Sequence, residues 1–142
     1  MDIDWTDPKS QVTEHFNVSD MCMLHQWGRL ATVEDGCDFD KLIQLAFMLE
    51  KVRALLGVPM RVHCAFRSAE YNLRIGAPAH DVHSLCEACD FDCSPHLTTD
   101  EVKAKLLPEL EAMGIRLEDN GPGASWCHID VHPVIHARFF KP

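Results

Sequence analysis

The sequence predicts a single α+β domain in which an antiparallel sheet packs against helices. Three observations carry that reading: one long amphipathic segment early in the chain, short β-prone segments after it, and strong turn chemistry joining the last two of these into a hairpin. A chain of 142 residues has the ordinary size of one domain and is long enough to bury a core. No internal repeat, low-complexity tract or linker divides it.

Residues 1–37 hold few periodic segments and read as an irregular arm with one short helix around SDMCMLHQW. Residues 38–142 read as the core of the domain. The segment 39–56, FDKLIQLAFMLEKVRALL, places Leu42, Leu45, Ala46, Leu49, Val52 and Leu56 at helical spacing. Asp38 can cap its start, and Gly57 with Pro59 ends it. MRVHCAF (60–66) reads as a strand, SAEYNLRI as a helical turn, and GAPAHD as a breaker-rich loop. CDFDC (89–93) reads as a buried strand. Thr98 and Glu101 form a capping box for the next helix, which Pro108 should split or kink before Gly114. NGPGAS is turn chemistry between IRLED and WCHIDV, so residues 115–131 are expected to form a hairpin.

A net charge of −9 and a pI near 5.3 argue against sequence-independent nucleic-acid binding, which needs surplus Lys and Arg, and against attraction to an anionic membrane. No apolar run approaches the ~20 residues that span a bilayer. The opening MDIDWTDPKS is acidic and polar, unlike a secretory signal, so the chain is expected to be cytoplasmic as synthesised. The seven cysteines are an odd number. In that compartment they are expected to be reduced and mostly small buried hydrophobes.

The stretch HSLCEACD (83–90) poses the question of chemistry. Its cysteines, Cys86 and Cys89, have CxxC spacing and with Cys93 and His96 offer a zinc or iron–sulfur knuckle, but no second CxxC exists in the chain. Its outer pair, His83 and Asp90, brackets a loop entering a strand. His128 and Asp130 lie two apart on another predicted strand and should face one side. Two imidazoles and a carboxylate make a three-ligand site of the open, catalytic type. In a strand, Cys89 would turn its sulfur away from the site Asp90 enters, which favours the outer pair.

From about Asp38 to Val131 the chain resembles the M15 zinc peptidases, the D-Ala-D-Ala carboxypeptidase and endolysin family. FRSAEYN lies where that family has a similar tyrosine–arginine–serine stretch. GAPAHDVHSLCEACDF lies at its SxHxxGxAxD segment, and WCHID at its aromatic-x-His-x-Asp strand. The resemblance implies Zn(2+) held by His83, Asp90 and His128, with Arg67 holding a substrate carboxylate through its planar fork. It also implies hydrolysis of peptidoglycan stem or cross-bridge peptides, at a bond involving a D-amino acid, in a phage-type enzyme that reaches the cell wall only on lysis.

Several positions depart from the family. Asp81, grouped with Arg67 as substrate-binding, stands where the family has serine and adds negative charge beside the proposed metal, Cys86 replaces a glycine, and Ser125 occupies the place of a catalytic glutamate. Two carboxylates remain for catalysis. Glu118 is the expected general base if the hairpin register turns it to the site, and Asp130 is the expected partner of a ligand histidine or, failing Glu118, the base. The alternative reading is a non-catalytic zinc-binding domain of the same fold with a binding or virion structural role.

Overall fold

The computed structural model describes residues 2–142. In chain order the elements are helix α1 (Val18–Cys22), strands β1 (Met23–Leu24) and β2 (Arg29–Leu30), helix α2 (Phe39–Leu56), strand β3 (Arg61–Cys64) and helix α3 (Ala69–Arg74). Strand β4 (Ala88–Asp92), helices α4 (Thr99–Leu106) and α5 (Leu110–Met113), and strands β5 (Arg116–Glu118), β6 (Cys127–Asp130) and β7 (Phe139–Phe140) follow. The main sheet runs β3-β4-β6-β5-β7. Its first four strands are antiparallel; β7 adds in parallel to β5, a pairing that the sequence pattern did not signal.

The α2 helix begins and ends on the expected residues. The Asp38 side chain accepts from the Lys41 N–H, and Gly57 closes the helix in the left-handed conformation. Its expected apolar stripe is buried. It lies in one core cluster with Cys89, Phe91, Leu117, Cys127 and Ile129, which alternate along the strands to the sheet's inner side. The Thr98–Glu101 capping box opens α4, and Pro108 falls in a 3-10 turn (Leu107–Glu109) that separates α4 from α5. Helix α4 pins the loop between β5 and β6: Thr99 Oγ1 donates to the Ala124 carbonyl at 2.6 Å, and buried Lys103 donates Nζ to Gly121 O at 2.8 Å.

The N-terminal residues are fastened to the same core. Val12, Phe16, Val18, Met21, Cys22 and Leu24 are buried in its cluster, and β1 pairs with β2 as a short hairpin. Glu50 of α2 accepts from Thr13 Oγ1 and the His15 N–H, and the Phe66 N–H donates to Met21 O. Among the described residues no helix is long and apolar enough to cross a membrane.

Candidate metal centre

Register decides which side chains share the sheet's outer face, because residues directly opposed on antiparallel strands project the same way. The pairs Arg61–Asp92, Cys64–Asp90, Asp90–His128 and Arg116–Asp130 run across that face. A bulge between Val62 and Cys64 interrupts the alternation of β3. Arg61 and His63 therefore both reach Asp92, while Cys64 still lies opposite Asp90.

His83 enters from the loop that precedes β4. Its Nδ1–H donates to the Ala65 carbonyl at 2.7 Å, since a carbonyl can only accept. That makes Nδ1 the committed donor and turns Nε2, 3.3 Å from Asp90 Oδ2, toward the site as the nitrogen available to ligate. His128 approaches the same carboxylate from β6, with Nδ1 2.8 Å from Asp90 Oδ1. The two imidazole rings are 5.2 Å apart at 74°. The structure thus brings His83, Asp90 and His128 together.

It also adds Cys64, whose Sγ is 3.5 Å from Asp90 Oδ2. One donor atom each from Cys64, His83 and Asp90 lies within 4.8 Å of the others, and this is the tightest set of metal-ligand type among the described residues. Cys86, Cys89, Cys93 and His96 form no comparable set there. Cys89 is fully buried on the core side. Burial pushes the Cys64 thiol up to about 12, reinforced by the Asp90 charge.

Charges on this face balance one another. Burial works to raise the Asp90 carboxyl, yet hydrogen bonds from His128 and His83 outweigh it and hold the group well below the ordinary carboxylate range. Burial likewise works to lower His128, but Asp130 and Asp90 raise it to about 9. Asp130 is buried, accepts His128 Nε2–H at 2.9 Å, and is gripped by Arg116 through Nε at 2.8 Å and Nη2 at 3.0 Å. Phe140 stacks on that guanidinium at 4.2 Å and sets its edge toward His128, at 6.0 Å between rings.

Glu118 stands beside the cluster. Arg116 pairs with Asp130 and Leu117 with Ile129, so Glu118 shares the outer face and brings Oε2 to 3.9 Å from His128 Nδ1. Arg67 and Asp81 meet each other: Nη2 donates to Asp81 Oδ2 at 3.0 Å, while Arg67 Nε is buried without a partner. Asp81 also accepts from Asn72 Nδ2 and the Ser84 N–H. The fork is therefore already engaged by a carboxylate of the chain itself.

Ser125 lies elsewhere, in a cavity of about 640 Å³ lined also by Arg61, His63, Asp92, Pro95 and Asp100. This trough continues the outer face from Asp90 to Asp92. His63 bonds Asp92 there and stands 6.4 Å from the Trp126 ring. Neither His63 nor Cys64 was a candidate from sequence.

Two imidazole nitrogens and a carboxylate on a buried, charge-balanced patch fit a divalent transition ion, and the His83 tautomer is already the one a ligand needs. Fold and site together define a small α+β protein with a cluster of metal-ligand type on its sheet face. The chain belongs to the peptidase M15 family, whose profile matches residues 14–130, and thus to a family of metallopeptidases. The match takes in α1 and the first hairpin, upstream of the segment in which the sequence motifs lie. A search of curated proteins and one of solved structures each return no significant match.

Proposed function

We propose that the protein is a zinc-dependent peptidase that hydrolyses peptidoglycan stem or cross-bridge peptides at a bond involving a D-amino acid. The observation that carries this is the convergence of His83 and His128 on Asp90 with the Glu118 carboxylate 3.9 Å from His128. Zinc would be held by His83 Nε2, Asp90 and His128 Nδ1. When bound, it supplies Lewis acidity to the scissile carbonyl and lowers the pKa of water.

The chain's own groups do the rest. Glu118 takes the proton of the attacking water on its carboxylate and delivers it to the leaving amine nitrogen. Asp130 holds His128 by its Nε2–H, so that Nδ1, turned toward Asp90, is the nitrogen that would ligate once its proton is displaced. The trough along Asp92 gives an extended peptide a place on the outer face, and its acidic and histidine lining suits backbone and amine groups. Arg67, displacing or sharing Asp81, holds a substrate carboxylate. The wall-peptide substrate follows from the family's character.

Cys64 favours a second reading. A thiolate joining His83, Asp90 and His128 would complete a four-ligand, closed site of structural type, and the domain would bind without catalysing. Purified muropeptides separate the two. The native protein should cleave a stem peptide, and Glu118→Gln should bind zinc normally and turn over at least ~100-fold more slowly, within the 10²–10⁴ that general acid–base catalysis contributes. Near-native turnover of Glu118→Gln would remove Glu118 from the mechanism. A native protein inert on every stem peptide would place the non-catalytic reading first.

A further inference from the structure

Three cysteines from separate segments belong to one core cluster: Cys22 at the end of α1, Cys37 just before α2, and Cys86 in the loop that carries His83. All three are buried. Cys86 differs from its neighbours in two ways. It is the one non-glycine described residue with positive φ, at 61°, a conformation costly for a side chain. Its Sγ also accepts the N–H of Asp38, the N-cap of α2, at 3.4 Å. Because that nitrogen is bonded through one carbonyl to the Cys37 Cα, the Cys86 sulfur lies within about 6 Å of that Cα.

We propose that Cys86 and Cys37 form a peroxide-sensitive thiol pair, a modification site in which Cys86 is the attacking sulfur and Cys37 the resolving one. The inference does not depend on the metal or on peptidase activity. The start of an 18-residue helix favours a thiolate, and Cys86 sits at that end. The Cys37 thiol is pushed up by the neighbouring Cys22 and Cys86 thiols and by burial, so it keeps its proton. Small molecules have a way in on both sides: Cys86 lines a cavity of about 430 Å³ with Lys41 and Glu87, and Cys37 one of about 610 Å³ with Trp5 and Phe39.

The chemistry balances with hydrogen peroxide as oxidant. The Cys86 thiolate attacks one peroxide oxygen; the S–O bond forms, the O–O bond breaks, and hydroxide leaves. Sulfur is oxidised by two electrons to the sulfenic acid and the peroxide is reduced. Cys37 sulfur then attacks Cys86 sulfur, forming the S–S bond, while the sulfenic oxygen departs with the Cys37 proton as water. The bond would tie the loop carrying His83, three residues before Cys86, to the start of α2.

The test treats the native protein with hydrogen peroxide, then denatures it in an alkylating reagent, digests it and maps the peptides by mass spectrometry. Seven free thiols should fall to five, with Cys37 linked to Cys86 and the circular dichroism of the folded protein unchanged. In Cys37→Ser the Cys86 sulfenic acid should persist and be captured by dimedone. If that variant does not fold, the map of the native protein decides. A Cys22–Cys37 bond, over-oxidation of Cys86 without a crosslink, seven thiols still free, or a linked pair formed only with loss of native circular dichroism would overturn the proposal.

Discussion

Replacing Asp130 with asparagine keeps its shape and removes its charge, at a position that is 1% exposed. The carboxylate accepts two N–H groups from Arg116 at 2.8 and 3.0 Å, one from His128 at 2.9 Å, and the His132 backbone N–H at 3.2 Å. An amide retains one acceptor oxygen but leaves the guanidinium of Arg116, itself only 7% exposed, beside a neutral group. Breaking a buried pair from one side costs about 3–5 kcal/mol. The low end applies here, because the surviving oxygen and the Phe140 ring at 4.2 Å still compensate part of the charge. A loss of about 3 kcal/mol is large against the 5–15 kcal/mol of a typical domain, yet it leaves the chain folded. The second consequence falls on the metal: without a carboxylate on Nε2–H, His128 is less basic and less firmly oriented, and affinity should fall ~10–100-fold. Urea unfolding of the metal-stripped protein reads the first effect, and competition with a chromophoric chelator at pH 7 reads the second. Arg116→Met should lose stability while keeping most of the metal affinity, since the Asp130–His128 contact survives. Native zinc affinity in Asp130→Asn would refute the orienting role of Asp130, and native stability would refute the argument from the buried pair.

Arg67→Lys should reduce use of a peptide with a free C-terminal carboxylate by roughly ten- to hundredfold, the loss of a ~1.5–3 kcal/mol bidentate contact, and leave zinc content unchanged. If amidating that carboxylate makes no difference to the native protein, Arg67 serves Asp81 alone. The pH dependence follows from His128. Its pKa is raised from an ordinary 6.5 to about 9, so its contribution to the stability of the metal-stripped protein is full below about pH 6.5 and is lost as pH rises through about 9. The unfolding free energy from urea titrations should therefore fall between pH 7 and pH 9.5, by up to about 2 kcal/mol if the whole shift is realised. Zinc must displace the same proton. Calorimetry at pH 7 in buffers of different ionisation enthalpy should then show close to one proton released per ion bound, and no release would contradict this electrostatic picture.

The helix α2, the strand over CDFDC, the capping box at Thr98 and the hairpin about NGPGAS were legible because each rests on local pattern. The spacing of apolar residues, a cap or a turn signal is enough to place them. The convergence of His83, Asp90 and His128 was suggested by strand alternation and supported by motifs whose family the profile match shows. Cys64 was not legible, because strict alternation along RVHC sends His63 and Cys64 to opposite faces. The bulge that returns both to the outer face is a property of the β3–β4 pairing, which no local rule reports. The side taken by Glu118 was left open by the sequence for a similar reason, since it turns on the β5–β6 register. The N-terminal arm hides its role because its buried residues follow no helical or strand period, and what holds it is long-range, from Glu50 and the Phe66 backbone. Phe140 comes from a two-residue strand too short to leave a pattern.

The most direct test of the metal centre is the metal content of three purified proteins by elemental analysis. Native protein should carry one zinc per chain. His128→Ala should fall well below stoichiometry, because the ion loses a nitrogen that is 2.8 Å from Asp90. Cys64→Ser should keep one zinc, as expected for an open site held by His83, Asp90 and His128. Stoichiometric zinc in His128→Ala, with loss in Cys64→Ser, would contradict the account and make Cys64, His83 and Asp90 the binding set.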